Sequence, residues 1–421
     1  MTEPGANTPL VAIACGGTGG HLFPGLAVAE QLTQRGCAVA LLISPKDVDR
    51  QAVKSVGVQA SACPGGTLKR QLQPGALLEI FTLPSVALQN RNYFSFAGSF
   101  VKSLLAARKI FRRRKPHAVL AMGGFTSAAP VWVGKDFGAK TFLHESNTIP
   151  GRANRLLARY VDGAFVGFPE AAARLKARKI TPTGTPVRLR FSPDARRPAP
   201  DPNCLAALGL DPDCPTVLVV GGSQGARGLN EMILSALPLL AGKNWQWLHL
   251  TGANDFEKVK TAYAARALRA VVKPFLAEMD LALGAATAAV SRAGASSLAE
   301  LAALRLPALL VPFPAAADNH QFYNARAFEA TGAARLFEQK GATPEKVAAA
   351  VVELMENRDA LFQMRTALAR WHTPKAAEQI AENILSACWS SSFSLPVKDG
   401  LKPEFRPSRS RQPEQEHFSI A

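Results

Sequence analysis

The sequence alternates short apolar runs with helical patterns, and it does so in two separate series. The first series opens with VAIA (Val11 to Ala14), a helix predicted from about Pro24 to Arg35, and VALLI (Val39 to Ile43). Such alternation is typical of βαβ units and a parallel sheet. Pro24 near the predicted helix start and Gly36 just after its end support those boundaries. Further apolar runs of this series lie at 117–122, 140–145 and 163–167.

A second series follows a Pro- and Arg-rich stretch, Arg188 to Pro202, which we interpret as a linker. Its apolar runs lie at 216–222, 245–252, 269–275, 287–294 and 307–313. A chain of 421 residues is long enough for two domains. We therefore predict an α/β protein with two Rossmann-like domains, whose parallel sheets face a cleft. The predicted boundaries are an N-terminal domain at 1–190, a C-terminal domain at 191–375, a helix at 376–388 packing back toward the N-terminal domain, and a disordered polar tail at 389–421.

Charge and cysteine content restrict the partners and the compartment. Lys and Arg number 49 against 32 Asp and Glu, a net charge of +17, so the partner is expected to be acidic: nucleic acid, anionic membrane or phosphorylated substrate. The six cysteines form no C-x-x-C pair and no zinc-type spacing, which favours a reducing compartment. We find neither a signal peptide nor an apolar stretch of roughly 18–20 residues, so a protein that does not cross the membrane is expected.

Glycine-rich turns follow the first strand of each series. CGGTGGHLFPG (15–25) and VVGGSQGARGLN (219–230) both allow main-chain N–H groups to approach an anion. Neither ends as a Walker A loop does, and Leu22 stands where G-x-G-x-x-G requires glycine. Two such turns suggest a nucleotide-sugar donor and a phosphorylated acceptor meeting in one cleft; tight turns without ligands are the alternative. Ser223 and Gln224 are expected at the start of the following helix, where they offer hydrogen bonds.

Three polar positions in these regions have both a structural and a functional interpretation. His21, at the mouth of the first turn, is suited to proton transfer near neutral pH, although a lone histidine is more often structural. Glu300, expected in the first turn of a helix after the small-residue segment 293–297, can cap that helix or accept hydrogen bonds from a ribose diol. The segment DNHQ (318–321) can be a solvated helix start or a set of groups that bind sugar hydroxyls.

Together, seven segments closely resemble the MurG family of bacterial N-acetylglucosaminyltransferases. They are GGTGGHLFPGLAVAEQL, MGGFTSAAPVWVG, LHESNTIPGRANRLLA, GTPVR, VVGGSQGARGLN, RAGASSLAELAALRLPALLVPF and HQFYNA, in the family's order between about Leu10 and Cys388. The resemblance implies the GT-B fold. It also implies an inverting transfer of GlcNAc from UDP-GlcNAc to the MurNAc C4 hydroxyl of undecaprenyl-diphospho-muramoyl-pentapeptide (lipid I), forming lipid II in peptidoglycan synthesis, with no cofactor.

The resemblance also assigns roles to individual residues. Arg188 corresponds to the arginine that meets the donor diphosphate. The general base that an inverting transfer needs is our own inference, and His21 is the candidate for it. Leu276 resembles the residue whose backbone reads uracil, and Gln321 the glutamine that reads GlcNAc hydroxyls. The remaining donor contacts that it implies are Thr18, Gly19, Gly20, Asn147, Ser223 and the phosphate- and ribose-binding stretch Ala295, Ser296, Ser297, Leu298, Ala299 and Glu300. The chain departs from the family at Ser146, where relatives often have Gln, and at His320, where some have a second Gln.

A basic segment suggests a membrane surface. Residues 91–116 contain eight basic and no acidic residues, interspersed with phenylalanine and leucine. A basic amphipathic helix of this kind favours an anionic lipid surface, here the inner leaflet of the cell membrane; a core helix with a solvated end is the alternative. With a polyprenyl-linked substrate, we expect a peripheral protein on the cytoplasmic face. The acidic triplets at 47–49 and 211–213 are predicted to lie in surface loops and to bind no metal.

Two other functions compete with this interpretation. A GT-B-like UDP-GlcNAc 2-epimerase would use the same donor pocket, but it needs acid and base groups around the sugar C2 and no lipid-facing surface. A basic nucleic-acid-binding protein could use the arginine cluster. No recognised nucleic-acid motif or aromatic platform lies beside those arginines, so no nucleic-acid partner is expected.

Overall fold

Two sheets of mainly parallel strands organise the chain, as the alternation predicts. The computed structural model describes residues 8–17, 19–46, 49, 67–73, 76–84, 93–191, 200–222 and 225–389. The α/β fold with two Rossmann-like domains is confirmed, because one sheet is built from residues 10–182 and the other from residues 216–336. The predicted tail lies outside the described residues, except for Trp389 at the end of the last helix. The exact domain boundaries stay predictions.

In the described part of the chain, the N-terminal sheet has eight strands in the order β3-β4-β2-β1-β5-β6-β7-β8. All neighbouring strands are parallel except β3 and β4, which pair antiparallel at one edge. The strands are β1 (Leu10–Ala14), β2 (Ala38–Ile43), β3 (Thr67–Gln73), β4 (Ala76–Thr82), β5 (Ala118–Ala121), β6 (Lys140–Glu145), β7 (Gly163–Val166) and β8 (Ile180–Pro182).

The C-terminal sheet has six strands, all parallel, in the order β11-β10-β9-β12-β13-β14. This is the doubly wound order, in which successive strands are added toward one edge of the sheet from β9 to β11 and toward the other edge from β12 to β14, so the strand order reverses between β9 and β12. The crevice at such a reversal is where open α/β sheets bind ligands. The strands are β9 (Thr216–Val220), β10 (Gln246–Leu250), β11 (Ala270–Lys273), β12 (Ala288–Ser291), β13 (Ala308–Leu310) and β14 (Arg335–Leu336).

Helices cover both faces of each sheet, because parallel strands buried on both sides need apolar cover above and below. They are α1 (Gly19–Gln34), α2 (Tyr93–Arg113), α3 (Ala128–Asp136), α4 (Arg152–Leu157), α5 (Pro202–Leu208), α6 (Arg227–Leu240), α7 (Phe256–Ala264), α8 (Met279–Gly284), α9 (Ala295–Ala303), α10 (His320–Ala330), α11 (Pro344–Glu356), α12 (Arg358–Trp371) and α13 (Ala376–Trp389).

The last helix returns to the N-terminal half. Ile380, Ala381 and Ile384 of α13 are fully buried in the same apolar cluster as Leu22 and Leu26 of α1. Packing of this kind ties the C-terminal end of the chain to the helix that follows the first glycine turn. The middle of α13 therefore stabilises the wall of the cleft described below.

The start of α1 was predicted wrongly, whereas its end was predicted correctly. The helix begins at Gly19, so Pro24 lies inside it rather than near its start. Pro24 has no N–H to donate to the carbonyl of Gly20, but this removes only one main-chain hydrogen bond, close to the N-terminal end of the helix. At the other end, Gly36 has φ +79°, and the N–H of Cys37 donates to Leu32 O at 3.0 Å, as in a Schellman cap.

Candidate active site

A cavity of about 1050 Å³ lies between the carboxyl ends of the two sheets. This volume suits a ligand larger than a single sugar. Residues from both halves line it: the start of α1, the turn after β5 and the loop after β6 face the turn after β9, the start of α9 and the start of α10. The strand ends that carried the glycine motifs in the sequence therefore meet across one cleft.

The first glycine turn is compact because it packs on the neighbouring strand end. A Cβ on Gly16 would collide with the main-chain N of Ser44, and Gly17 has φ +112°, so both positions favour glycine. The buried carboxylate of Asp49 holds the turn by accepting hydrogen bonds from Gly17 N at 2.7 Å and Ser44 N at 3.1 Å. Asp49 was expected in a surface loop; it is instead fully buried, because it anchors this turn.

The ring of His21 lies at the cleft end of this turn. It packs so closely on the turn after β5 that a Cβ on Gly123 would lie 2.9 Å from His21 Cε1. Its Nδ1 atom makes no hydrogen bond of ordinary geometry among the described residues. Burial lowers the pKa of His21 from 6.5, while the nearby charge of Glu145 and the main chain of Met122 oppose that shift. The imidazole is therefore neutral near pH 7 and able to accept a proton.

Glu145, at the end of β6, organises the loop that carries Asn147. Its Oε1 accepts hydrogen bonds from Asn147 N at 2.9 Å and Asn147 Nδ2 at 3.1 Å. Its Oε2 accepts from Gly151 N and Asn154 Nδ2, both at 2.9 Å. A carboxylate with four donors is fixed in place, so this loop is rigid beside His21.

The two departures from the family pattern make local hydrogen bonds. The ring of His144 lies 3.0 Å from Gly184 O through Nε2 and 3.2 Å from Ser146 Oγ through Nδ1. Because a carbonyl can only accept, Nε2 is the protonated nitrogen and Ser146 donates to Nδ1. His320 lies near the start of α10, where its Nδ1 contacts Ala317 O at 2.8 Å.

The C-terminal wall presents main-chain donors that no side chain of the described residues caps. Helix α9 begins at Ala295 after Gly294, which supplies no side-chain cap, so the first N–H groups of the helix remain available to a ligand. Gly294, Ser296 and Ser297 line the cleft at this helix start. The turn after β9 contributes Gly221 and Gly222. The helix after that turn begins at Arg227, and the residues expected near its start, Ser223 and Gln224, lie outside the described residues.

Glu300 lies one turn deeper in α9 than expected. It is in the second turn rather than the first, so it does not cap the helix. Its side chain lines the cleft although the residue is only 9% exposed. Burial raises its pKa to about 7, an effect opposed by Arg188 and reinforced by Asp280.

Arg188 lies beneath the cleft and does not line it. It is 3% exposed, and its guanidinium lies 4.4 Å from the ring centre of Phe23 and 5.2 Å from that of Phe191. None of its three nitrogens has a hydrogen-bond partner among the described residues. Burial lowers the pKa of Arg188, whereas the charge of Glu300 raises it. Phe23, which lines the cleft, separates this cation from the cavity.

The loop after β13 is positioned by a second buried arginine. Arg292 Nη1 donates to Val311 O and Pro312 O, both at 3.0 Å, and its Nη2 donates to Gln339 Oε1 at 2.8 Å. The next residue of that loop, Phe313, donates its N–H to Gln321 Oε1 at 2.9 Å. The carbonyl end of Gln321 is thus engaged, which leaves its Nε2 donors for a ligand.

Most of the candidate residues meet in the cleft, but not all do. Those that line it are Gly19, Gly20, His21, Asn147, Leu276, Ala295, Ser296, Ser297, Glu300 and Gln321. Leu298 and Ala299 do not: Leu298 is buried in the core, and Ala299 borders a separate small cavity beside Trp371. Only one face of a helix points toward the cleft. The residues of α9 that the resemblance implied as one continuous stretch therefore cannot all line it. Thr18 and Ser223 lie outside the described residues.

Three residues of this site were not singled out in the sequence. They are Glu145, Arg292 and Asn324, which lie in the quoted segments LHESN, RAGASS and HQFYNA. The only signal available was the presence of a polar residue at the end of an apolar strand or inside an otherwise apolar helix face. Within the described ranges, no group of three or more His, Cys, Asp or Glu side chains could hold a metal ion.

The basic segment forms α2, which lies beside the cleft. Ser103, Ala107 and Phe111 face the core and are buried, whereas Val101 and Leu105 are 52% and 63% exposed. The exposed basic residues of this segment include Lys102, Lys109, Arg112, Arg113 and Lys115. Among the residues that the structure describes, no helix combines the length and apolar character needed to cross a bilayer.

Comparisons with known proteins agree with this architecture. Residues 11–166 match the glycosyltransferase family 28 N-terminal domain, and residues 216–380 match its C-terminal domain. The chain is 36% identical over 398 residues to a protein of Anaeromyxobacter dehalogenans, covering 93% of this chain and 97% of that protein. That relative is named UDP-N-acetylglucosamine–N-acetylmuramyl-(pentapeptide) pyrophosphoryl-undecaprenol N-acetylglucosamine transferase.

Two solved structures are also similar. The crystal structure of Acinetobacter baumannii MurG aligns with a TM-score of 0.64 at 25% identity, covering 90% of this chain and 99% of that one. A UDP-N-acetylglucosamine 2-epimerase aligns with a TM-score of 0.63 at 13% identity, covering 94% of this chain and 100% of that one. At that identity, the second likeness shows the fold alone.

Proposed function

The chain belongs to glycosyltransferase family 28, within the MurG family of N-acetylglucosaminyltransferases, and on that premise we propose its reaction. It transfers GlcNAc from UDP-GlcNAc to the C4 hydroxyl of MurNAc in lipid I, with inversion at the anomeric carbon, and so forms lipid II. The observation that carries the proposal is the single cleft in which His21, the first glycine turn and the free N-terminus of α9 face one another.

The C-terminal wall binds the donor. The free N–H groups at the start of α9 and the turn after β9 suit a diphosphate, because both present positive partial charge. Glu300 accepts hydrogen bonds from the ribose diol, the backbone at Leu276 reads uracil, and Gln321 donates through Nε2 to a GlcNAc hydroxyl. We expect Glu300→Ala to raise the KM for UDP-GlcNAc more than it lowers kcat.

The N-terminal wall supplies the base and orients the sugar. His21 takes the proton from the acceptor hydroxyl as its oxygen attacks the anomeric carbon, and the bond from that carbon to the diphosphate breaks. The electron pair of the broken bond leaves with UDP. The negative charge of Glu145 stabilises the imidazolium that forms. Asn147 and the main chain at Gly19 and Gly20 contact the donor sugar from the same side.

Positive charge behind the cleft stabilises the departing UDP. Arg188 is buried without a hydrogen-bond partner among the described residues. In this conformation its positive charge therefore acts on the diphosphate at a distance, through the low-dielectric surroundings of Phe23, and not by direct contact. Arg292 lines the C-terminal wall, and burial lowers its pKa to about 10. Arg292 therefore remains a cation at neutral pH, where arginine side chains in general are protonated.

The acceptor reaches the cleft from a membrane. Phe96, Phe100 and Trp132 form an apolar end of the cavity, and the rings of Phe100 and Trp132 lie 5.5 Å apart, edge to face. The exposed Val101 and Leu105 lie on α2 among its basic residues. This combination suits an anionic leaflet and an isoprenoid chain. We propose that the protein lies peripherally on the cytoplasmic face of the bacterial cell membrane and binds no nucleic acid.

One assay separates this reaction from the epimerase that shares the fold. UDP release from UDP-GlcNAc is measured with and without a lipid I analogue, and the sugar products are identified. We expect UDP release only when the acceptor is present, and GlcNAc as the only sugar moved. UDP or ManNAc formed without the acceptor would support a 2-epimerase instead.

A further inference from the structure

Asn324 on α10 joins the two halves of the molecule directly behind Asn147. It is fully buried, and its Oδ1 accepts hydrogen bonds from Thr148 N and Thr148 Oγ1, both at 3.0 Å. Its Nδ2 donates to Asn147 Oδ1 at 3.0 Å and to Ala293 O at 3.2 Å. The amide thus uses both of its donors and accepts twice, and three of the four bonds cross between the two halves.

The orientations of the Asn147 and Asn324 amides are fixed by neighbouring groups that can only donate or only accept a hydrogen bond. The N–H of Thr148 can only donate and the carbonyl of Ala293 can only accept, so Asn324 cannot be flipped. Asn147 donates through Nδ2 to the carboxylate of Glu145, which turns its Oδ1 toward Asn324. Asn147 is therefore held between a carboxylate of the N-terminal half and an amide of the C-terminal half.

We propose that Asn324 is a positioning residue, which sets the side chain of Asn147 for the donor sugar only when the two halves are closed on each other. The inference rests on the proposed function of Asn147 as a donor-sugar contact. When Asn147 is bonded to both Glu145 and Asn324, its amide keeps one Nδ2 hydrogen and one Oδ1 lone pair for a sugar hydroxyl. Opening of the cleft would remove the Asn324 bond and free the amide to rotate, so sugar recognition is coupled to closure.

The proposal makes a specific prediction about ligands. Asn147 contacts the sugar, whereas the uridine and diphosphate are bound by the C-terminal wall. Loss of the hydrogen bond between Asn324 and Asn147 should therefore weaken binding of UDP-GlcNAc and leave binding of UDP nearly unchanged. A residue that only held the halves together would also act through Gly19 and Gly20, so its loss would still weaken UDP-GlcNAc binding in a protein that lacks the Asn147 side chain.

The test is a calorimetric titration of the full-length protein with UDP-GlcNAc and, separately, with UDP. We expect Asn324→Ala to weaken UDP-GlcNAc binding roughly tenfold, the effect of about one lost hydrogen bond, and UDP binding by less than about twofold. Asn324→Asp can still accept from Thr148 but cannot donate to Asn147, so it should be impaired for UDP-GlcNAc in the same way. Thr148→Val keeps the Asn147 contact and is the matched control, with an expected change below about twofold for either ligand.

A double variant decides whether Asn324 acts through Asn147. If it does, Asn147→Ala/Asn324→Ala binds UDP-GlcNAc within about twofold of Asn147→Ala alone. Additive losses in the double variant, equal losses for UDP and UDP-GlcNAc, or full affinity for UDP-GlcNAc in Asn324→Asp would each overturn the proposal. Failure of the proposed function is distinguishable, because it would show in the wild-type protein as an absence of UDP-GlcNAc binding.

Discussion

Single residues of this site gain their roles from neighbours that are distant in the chain. Asn147 and Asn324 are 177 positions apart in sequence, yet their side chains are hydrogen bonded. The sequence identified His21, Glu300 and Gln321 as candidates from the turn or segment in which each lies, and the family resemblance added Asn147. The sequence did not identify Glu145, Arg292 or Asn324, because their importance comes from bonds to other polar groups, which no local pattern encodes.

The first residue-scale prediction concerns the base. We expect His21→Ala to lower kcat by roughly 10²–10⁴-fold, the usual contribution of a general base, while UDP-GlcNAc still binds. Because the folded site lowers the pKa of His21 from 6.5, the acid limb of kcat/KM in the wild-type enzyme should lie below that value. Steady-state kinetics from pH 4.5 to 9 would measure both effects. Full turnover by His21→Ala would show that another group is the base.

The second residue-scale prediction concerns the stability of the unliganded protein. Folding raises the pKa of Glu300 from 4.5 to about 7, so the folded protein holds this proton more tightly than the unfolded chain does. The resulting stability is fully present below pH 4.5 and is lost as the pH rises through about 7.

Glu300→Gln, which is always neutral, should escape that loss. We expect its unfolding free energy to match the wild type near pH 4.5 and to exceed it near pH 8, by on the order of 2–3 kcal/mol. Chemical denaturation at both pH values measures the difference. If the unfolding free energies of the two proteins changed by the same amount between these pH values, the buried carboxyl of Glu300 would not be the cause of the loss.

At the scale of single elements, strands were predicted better than helix starts. The run KTFLHE predicted β6 to the residue, because a buried parallel strand is a continuous apolar segment ended by polar residues. The start of α1 was misplaced because proline is common at the first position of helices, whereas Pro24 lies in the second turn of α1. In α9, the residue at which the helix begins decides which side chains face the cleft. The sequence spacing alone did not identify that residue.

The element-scale prediction concerns α2. Reversal of two exposed charges, Arg112→Glu/Arg113→Glu, should weaken binding to anionic vesicles at least roughly tenfold, since each basic residue near the surface contributes about 1 kcal/mol. Co-sedimentation with vesicles of anionic and of zwitterionic lipid measures this. The matched control Lys346→Glu/Lys375→Glu makes the same charge change on exposed residues of the C-terminal half and should bind as the wild type does. Equal losses in both variants would show that only net charge matters.

At the scale of the whole molecule, alternating strands and helices predicted two parallel sheets, and the structure confirms them. The order of the strands could not be read from the sequence, because it depends on which hydrophobic faces pack together. That order places β1 beside β5 and β9 beside β12, so that all four strand ends open onto one cleft. The +17 charge is explained in part by α2 and its flanking residues, which carry eight basic residues and no acidic one.

The most direct test of the whole account is transfer of labelled GlcNAc from UDP-GlcNAc to a lipid I analogue, with the new linkage examined by NMR. We expect a labelled disaccharide-lipid product with a β linkage, because one displacement inverts the α linkage of the donor. We also expect product formation to fall with His21→Ala. An α-linked product would contradict the inverting mechanism, and no labelled lipid at all would contradict the proposed reaction.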